Sequence, residues 1–153
     1  MKVAIKDIVN ALNTTSDEHS NYLDRQTGRV EFLSRQALGL AEEGGTADAL
    51  PQWQRDEFEV AEALCADPDR FDKLPSKWDL HELEIMRKFA WSLAPQRFGV
   101  DLLQALRGAH AFQSCKDTLR RSRREKEWFA YRAVALRQIA IEWCKENDVE
   151  YAD

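Results

Sequence analysis

The sequence predicts an α+β fold that is mostly helical, with about six helices and one β-hairpin in its N-terminal half. Three observations lead to this prediction. Residues 125–146 contain no Gly or Pro and carry apolar residues at helical spacing. Shorter amphipathic segments recur along the chain, and one segment combines β-forming residues with a Gly-containing turn. With 153 residues, 44% of them hydrophobic, we expect a single domain over 1–153.

The segment 125–146 has a wide apolar arc. Trp128, Tyr131, Ala135 and Ile139 form one series at helical spacing, and a second series runs from Phe129 through Ala133 and Leu136 to Trp143. Because such an arc exceeds a coiled-coil seam, the pattern predicts a central helix packed by more than one neighbour. We expect a helical core over about 50–146, with the following residues inside it: Trp128, Trp143, Phe112, Phe89 and Leu103.

The other segments follow in chain order. A surface helix is predicted over 3–12, and the Gly-containing segment 34–46 is predicted to be a loop. Pro51 opens the next helix, and 71–77 is expected to be a connector. Asp79 with Glu82 resembles a capping box that would begin a further helix, which Pro95 ends.

The hairpin is predicted over about 21–33. Its two strands flank a turn at 25–28, where Gly28 is available for a positive φ. We expect Tyr22, Val30 and Phe32 to face the helices. An isolated two-stranded hairpin is marginally stable, so it should lie on helices or pair with the edge of another chain. The second arrangement predicts a protein partner or a homodimer formed through the hairpin edge.

A basic segment precedes the long helix. Residues 116–126 contain six basic and two acidic residues, a local charge of +4 in a chain of net charge −5. This pattern occurs in patches that bind the phosphates of nucleic acid or of a small molecule, but a run this short is more often a solvated corner between helices. The binding candidates are Lys116, Arg120, Arg121, Arg124, Trp128 and Tyr131. Arg124 precedes Trp128 by four residues, so its guanidinium is also expected to stack on that indole.

A polar loop offers the only candidate for enzyme chemistry. Asp17, Glu18 and His19 lie together in it, close in sequence to Tyr22. No catalytic motif supports them: His81-Glu82 lacks the second His of HExxH, and no Gly-rich phosphate loop occurs. We therefore expect no catalytic residues, no metal and no cofactor, and we favour a protein that is not an enzyme.

The three cysteines bear on the compartment. They include no CxxC pair, and Cys115 and Cys144 fall within apolar helical patterns, which predicts small buried side chains rather than disulfides. No apolar run approaches the roughly 20 residues that span a bilayer, and Asp7 interrupts any signal-peptide core. We expect a cytoplasmic protein that does not enter a membrane.

Short motifs in a fixed order extend over nearly the full length. They are Ser16-Asp17-Glu18, Tyr22-Leu23-Asp24, Thr27-Gly28, Leu74-Pro75, Ile85-Met86, Gly108, Ala111-Phe112, Lys116-Asp117, Leu119, Trp128 and Trp143. In these the chain resembles a small bacterial family of uncharacterised cytosolic proteins. The resemblance implies a mixed helical domain with a hairpin and implies no activity. Cys115 departs from it, because the family pattern leads us to expect an aromatic residue beside Lys116.

Three functions remain open from the sequence. The first is a non-catalytic interaction or regulatory module that binds another protein, favoured by the aromatic content and the hairpin edge. The second is a nucleic-acid-binding or phosphate-binding protein that uses the basic segment. The third is a small enzyme of unknown reaction built on the polar loop.

Overall fold

The structure, a computed structural model, describes residues 1–153. It has seven helices of eight or more residues and one short helix, so the prediction of a mostly helical α+β fold is confirmed, and about six helices was an undercount. The helices are α1 Ile5–Asn13, α2 Arg35–Glu42, α3 Arg55–Ala66, α4 Lys77–Leu80, α5 Glu82–Leu93, α6 Arg97–Ala105, α7 Ala111–Arg121 and α8 Glu125–Glu146. The strands are β1 Val3–Ala4, β2 His19–Asp24, β3 Val30–Ser34, β4 Phe71–Lys73 and β5 Tyr151–Ala152.

The chain divides into two units. The terminal unit comprises Met1–Leu80 and Ile139–Asp153, and the middle unit comprises His81–Gln138. Residues 125–138 of α8 therefore belong to the middle unit and residues 139–146 to the terminal unit.

The terminal unit is built on a three-stranded antiparallel sheet of order β3-β2-β4. The predicted hairpin forms its first two strands, with Asn21 opposite Phe32, and Gly28 supplies the expected positive φ of 76° in the turn. Because neighbouring residues of a strand point to opposite faces, Asn21 faces α1, where its Nδ2 donates to the Ala11 carbonyl. Tyr22 faces α2 and α3, and burial together with Glu42 and Cys65 raises its pKa.

The structure corrects two local predictions and adds a pair of strands that was not predicted. Residues 71–73 are strand β4 rather than a connector. They satisfy the backbone hydrogen-bonding groups on the side of β2 that β3 does not reach. The termini add a second, parallel pair, β1 with β5. The capping box is formed by Ser76 and Asp79 at the start of α4 rather than by Asp79 and Glu82, because Asp79 accepts from the backbone N–H of Ser76 and its own N–H donates to the Ser76 hydroxyl. His81, the residue before α5, has a left-handed conformation and no side-chain cap.

The segment predicted as a loop after the hairpin contains a helix instead. Helix α2 begins at Arg35, and the Ser34 hydroxyl accepts a hydrogen bond from the Ala37 N–H across its first turn. The cap and the buried contact of Ala37 outweigh the cost of about 1 kcal/mol for Gly39 inside the helix.

The middle unit has an aromatic centre at Phe89. Its ring lies 5.5 Å from that of Trp128, 5.2 Å from that of Tyr131 and 6.4 Å from that of Phe98. Phe89 and Trp128 are buried as predicted, and so is Trp143 in the terminal unit. Phe112 and Leu103, the other two predicted core residues, are half-buried.

Only part of the predicted apolar arc of α8 is buried. Phe129 is 58% exposed, and Ala133 of the same series is also exposed. Helical spacing thus identified the helix correctly but overstated how much of its surface is covered.

Candidate functional site

The outer edge of β3 is the first candidate site. The Asp24 N–H donates to the Arg29 carbonyl, and the Arg35 N–H donates to the Glu18 carbonyl. These two bonds show which opposite residues of β2 and β3 are hydrogen-bonded pairs. By the alternation of an antiparallel ladder, Val30, Phe32 and Ser34 direct their backbone groups away from β2. Ser34 N–H donates to the Glu57 carboxylate, whereas Val30 and Phe32 have no backbone partner.

A groove runs beside this edge. Its lining comes from α1, the hairpin turn and β3: Asp7, Asn10, Gly28, Arg29, Val30 and Phe32. Phe32 is 44% exposed rather than packed under the helices as predicted, and Val30 is half-buried. The hairpin thus presents unpaired backbone groups next to an exposed aromatic ring.

The second candidate is a polar cleft in the terminal unit. The predicted loop residues Asp17, Glu18 and His19 line it together with the start of α2 and the turn before α3. The remaining lining residues are Ser34, Arg35, Gln36, Trp53, Gln54 and Glu57. Tyr22, the fourth member of the predicted set, lies on β2 and does not line this cleft.

Within the polar cleft the local bonds are few. Ser16 Oγ lies 3.3 Å from His19 Nδ1, and Asp17 pairs with Lys77 at 2.9 Å. No group of three or more His, Cys, Asp or Glu residues is placed to hold a metal ion. The cleft therefore offers a His, several carboxylates, an Arg and an indole, a set suited to binding polar molecules.

Sequence reasoning missed the other half of the polar cleft. Arg35, Trp53 and Gln54 lie in a stretch predicted to be a loop and the start of a helix, with no motif around them. Only the packing of α2 and α3 beside the hairpin brings them to Asp17 and Glu18. No signal in the sequence links these segments.

The third candidate is a groove between α6 and α7 in the middle unit, whose charged lining is two arginines and two aspartates. Arg120 and Arg121 line it with Ser114, Thr118 and Ser122, and Asp101 and Asp117 also contribute. Arg121 donates to the Thr118 hydroxyl, and Asp117 accepts from Gln113.

The other predicted members of the basic site have structural contacts. The Lys116 ammonium lies 4.7 Å from the centre of the Phe112 ring. Arg124 stacks on Phe98 at 4.2 Å rather than on Trp128, and its two hydrogen bonds to Glu127 lower the pKa of that carboxyl. Trp128 is 3% exposed, so its ring offers no face to a base.

Charge is distributed unequally between the two units. The middle unit has twelve basic and six acidic residues, a net charge of +6, whereas the terminal unit has ten basic and 21 acidic residues, a net charge of −11. The two values account for the −5 of the whole chain. The modest net charge of the whole chain is therefore the sum of a basic middle unit and a strongly acidic terminal unit.

Burial disfavours the thiolate form of the two buried cysteines. Burial raises the pKa of Cys115 to about 11, and it also raises the pKa of Cys144. The Cys115 thiol donates to the Leu102 carbonyl at 3.7 Å. Both are buried as predicted, and Cys65 is the exposed cysteine.

These features define a small, helix-rich α+β protein with a three-stranded sheet, an open strand edge and two charged depressions. A model of the uncharacterised protein family UPF0158 matches residues 1–153, and the chain belongs to this family. The resemblance inferred from the sequence motifs is confirmed. No curated protein and no solved structure matches the chain. None of the helices has the length and apolar character needed to cross a bilayer.

Proposed function

We propose that this protein is a non-catalytic interaction module that binds another protein by adding a strand of the partner to the edge of β3. The observation that carries the proposal is the pair of unpaired backbone positions at Val30 and Phe32. An extended peptide can hydrogen-bond to both groups of both residues, which is how exposed sheet edges recruit partners. The exposed Phe32 ring and the adjoining groove would hold the side chains of the peptide.

The charge of Glu31 favours a different protein over a second copy of this chain. A symmetric antiparallel pair of β3 strands that uses both Val30 and Phe32 would be centred on Glu31. The two Glu31 carboxylates would then lie directly opposite each other, about 5 Å apart at Cβ, which is destabilising. A partner strand with a basic residue between two apolar ones would pair with Glu31 and pack on Val30 and Phe32.

Selection of short random peptides displayed on phage tests this proposal. We expect the wild-type protein to enrich extended sequences in which a basic residue lies between apolar residues. The Glu31→Lys variant should enrich an acidic residue at the same position, because opposite charges are favoured in cross-strand pairs. A consensus unchanged by Glu31→Lys would contradict the proposed placement of the partner.

A backbone variant supplies the control. Val30→Pro removes an N–H that points away from β2, so the hydrogen bonds between β2 and β3 are kept. Val30→Thr keeps that N–H and has a similar shape. We expect Val30→Pro to abolish binding of the enriched peptides and Val30→Thr to retain it, with circular dichroism confirming that both variants are folded.

A second candidate function is binding of nucleic acid or another phosphate compound in the groove between α6 and α7. It is supported by the net charge of +6 on the middle unit and by Arg120 and Arg121, two exposed arginines lining one depression. Since Trp128 is buried and Tyr131 packs on Phe89, binding would rest on phosphate contacts without base stacking.

Fluorescence anisotropy with labelled single-stranded RNA tests the second candidate. Phosphate-dominated binding should weaken by orders of magnitude between about 50 and 200 mM salt. The double variant Arg120→Ala/Arg121→Ala should weaken binding by at least about tenfold at the lower salt. The control Lys88→Ala/Arg107→Ala makes the same charge change in the same unit outside the groove. Equal losses in both double variants would rule out a site in the groove.

A further inference from the structure

We propose that the polar cleft binds a small zwitterion of the amino-acid class, with its carboxylate at Arg35 and its ammonium group at Glu18 and Glu57. The cleft belongs to the terminal unit, and the inference is independent of strand addition at β3. Four features of the cleft point to such a ligand.

The first feature is opposite charges that do not pair. Arg35 lines the cleft with Glu18 and Glu57, yet its guanidinium has no ion-pair or hydrogen-bond partner. The Glu18 carboxylate is also free, and Glu57 accepts only the Ser34 N–H. A purely anionic ligand would be repelled by Glu18 and Glu57, and a purely cationic one by Arg35. A zwitterion has an opposite charge for each.

The second feature is the amide of Gln54. This residue is only 7% exposed, its side chain makes no hydrogen bond, and it lines the cleft. Its amide atoms are not among the fully enclosed unpaired atoms, so they are reached from the cleft. A polar ligand in the cleft would give this amide the hydrogen-bond partners that the protein does not supply.

The third feature is the beginning of α2. The Arg35 N–H donates to the Glu18 carbonyl and the Ala37 N–H to Ser34 Oγ, which leaves the Gln36 N–H without a partner. Gln36 lines the cleft beside Arg35. A carboxylate there would accept from the helix N-terminus and from the guanidinium together.

The fourth feature is the indole of Trp53, which is 76% exposed on the wall of the cleft. An indole presents a large apolar surface that a ligand side chain can cover. We therefore expect an amino acid with an aromatic or aliphatic side chain to bind more tightly than glycine.

Three matched probes test the inference: L-phenylalanine, 2-phenylethylamine, which lacks the carboxylate, and 3-phenylpropionate, which lacks the ammonium group. Binding is followed by the indole N–H signal of Trp53 and the side-chain amide signals of Gln54 in the NMR spectrum, with the Trp53→Phe spectrum assigning the indole. We expect L-phenylalanine to shift both signals with an affinity at least about tenfold higher than either truncated probe.

Charge-neutral variants locate the two ends of the ligand. Arg35→Gln should remove the preference for L-phenylalanine over 2-phenylethylamine, and Glu18→Gln should reduce the preference over 3-phenylpropionate. Arg55→Gln is the matched control, because Arg55 is exposed and adjoins Gln54 in sequence without lining the cleft. Its affinity should stay within about twofold of wild type.

Two results would overturn the inference. One is the absence of any shift of the Trp53 and Gln54 signals at about 10 mM L-phenylalanine, which would mean a dissociation constant well above about 10 mM. The other is equal binding of 2-phenylethylamine and L-phenylalanine, which would show a cation site in which Arg35 takes no part.

Discussion

Arg70 holds the Asp24 carboxylate with two hydrogen bonds, from Nε to Oδ1 at 2.8 Å and from a terminal nitrogen to Oδ2 at 2.7 Å. Asp24 also accepts from the Gln26 N–H, and its side chain is 5% exposed. The pair joins the end of β2 to the residue before β4, and so fixes the strand that the sequence did not indicate. The hydrogen bonds from Arg70 lower the pKa of Asp24 from 3.8 to about 2.

This pair should make the fold acid-sensitive in a defined range. Because the pKa of Asp24 is lower in the folded than in the unfolded chain, its contribution is present above pH 3.8 and is lost as the pH falls towards about 2. We expect a loss of up to about 2 kcal/mol over that range, measured by urea unfolding at several pH values. Asp24→Asn should be less stable by a similar amount at pH 7 and should lack this step.

An exposed ion pair provides the control for that experiment. Arg97 and Asp101 lie 3.2 Å apart on α6 with side chains 91% and 41% exposed. Asp101→Asn should change the free energy of unfolding by less than about 0.5 kcal/mol. An acid transition unaltered by Asp24→Asn would show that other carboxyl groups control it.

Two glycines in helices should respond in opposite ways to replacement by alanine. A Cβ on Gly99 would lie 2.7 Å from the backbone nitrogen of Ala94 and 2.8 Å from the carbonyl oxygen of Ala90. Backbone atoms cannot move aside cheaply, so Gly99→Ala should destabilise the protein by at least about 2 kcal/mol. Around Gly39 in α2 no atom lies within 4 Å of an added Cβ, and Gly39→Ala should stabilise by about 0.5–1 kcal/mol.

Thermal unfolding followed by circular dichroism measures both glycine variants under the same conditions. A stable Gly99→Ala variant would mean that α5 and α6 can separate without loss of packing. A destabilised Gly39→Ala variant would mean that α2 needs the flexibility of glycine.

The three thiols should react at very different rates. At pH 8 we expect Ellman's reagent to modify the exposed Cys65 quickly, while Cys115 and Cys144 stay unmodified in the folded protein. Burial raises the pKa of both thiols, so neither forms the thiolate that attacks the reagent. In denaturant all three should react. Rapid reaction of any thiol in the folded Cys65→Ser variant would contradict this assignment.

Local sequence patterns determined several parts of the structure. The absence of Gly and Pro in α8, the Gly28 turn and the helical spacing of Cys115 and Cys144 predicted the long helix, the hairpin and the buried thiols. In each case the signal lies within a few residues of the feature, because helix periodicity and turn geometry are set by neighbours in the chain.

The candidate sites followed this rule only in part. The polar loop and the basic segment were visible as residue types, and the structure places Asp17, Glu18 and His19 on one cleft and Arg120 and Arg121 on another. Their surroundings were not visible in the sequence.

Tertiary structure alone decided which surfaces stay open. The strand β4 exists because three residues with no strand pattern meet the free side of β2, some fifty residues away in sequence. Trp53 and Phe129 are exposed while Trp128 and Trp143 are buried, although all four are large apolar residues. Sequence determines how apolar a residue is, but its burial depends on which distant segment covers it, and that is settled only when the helices and the sheet pack together.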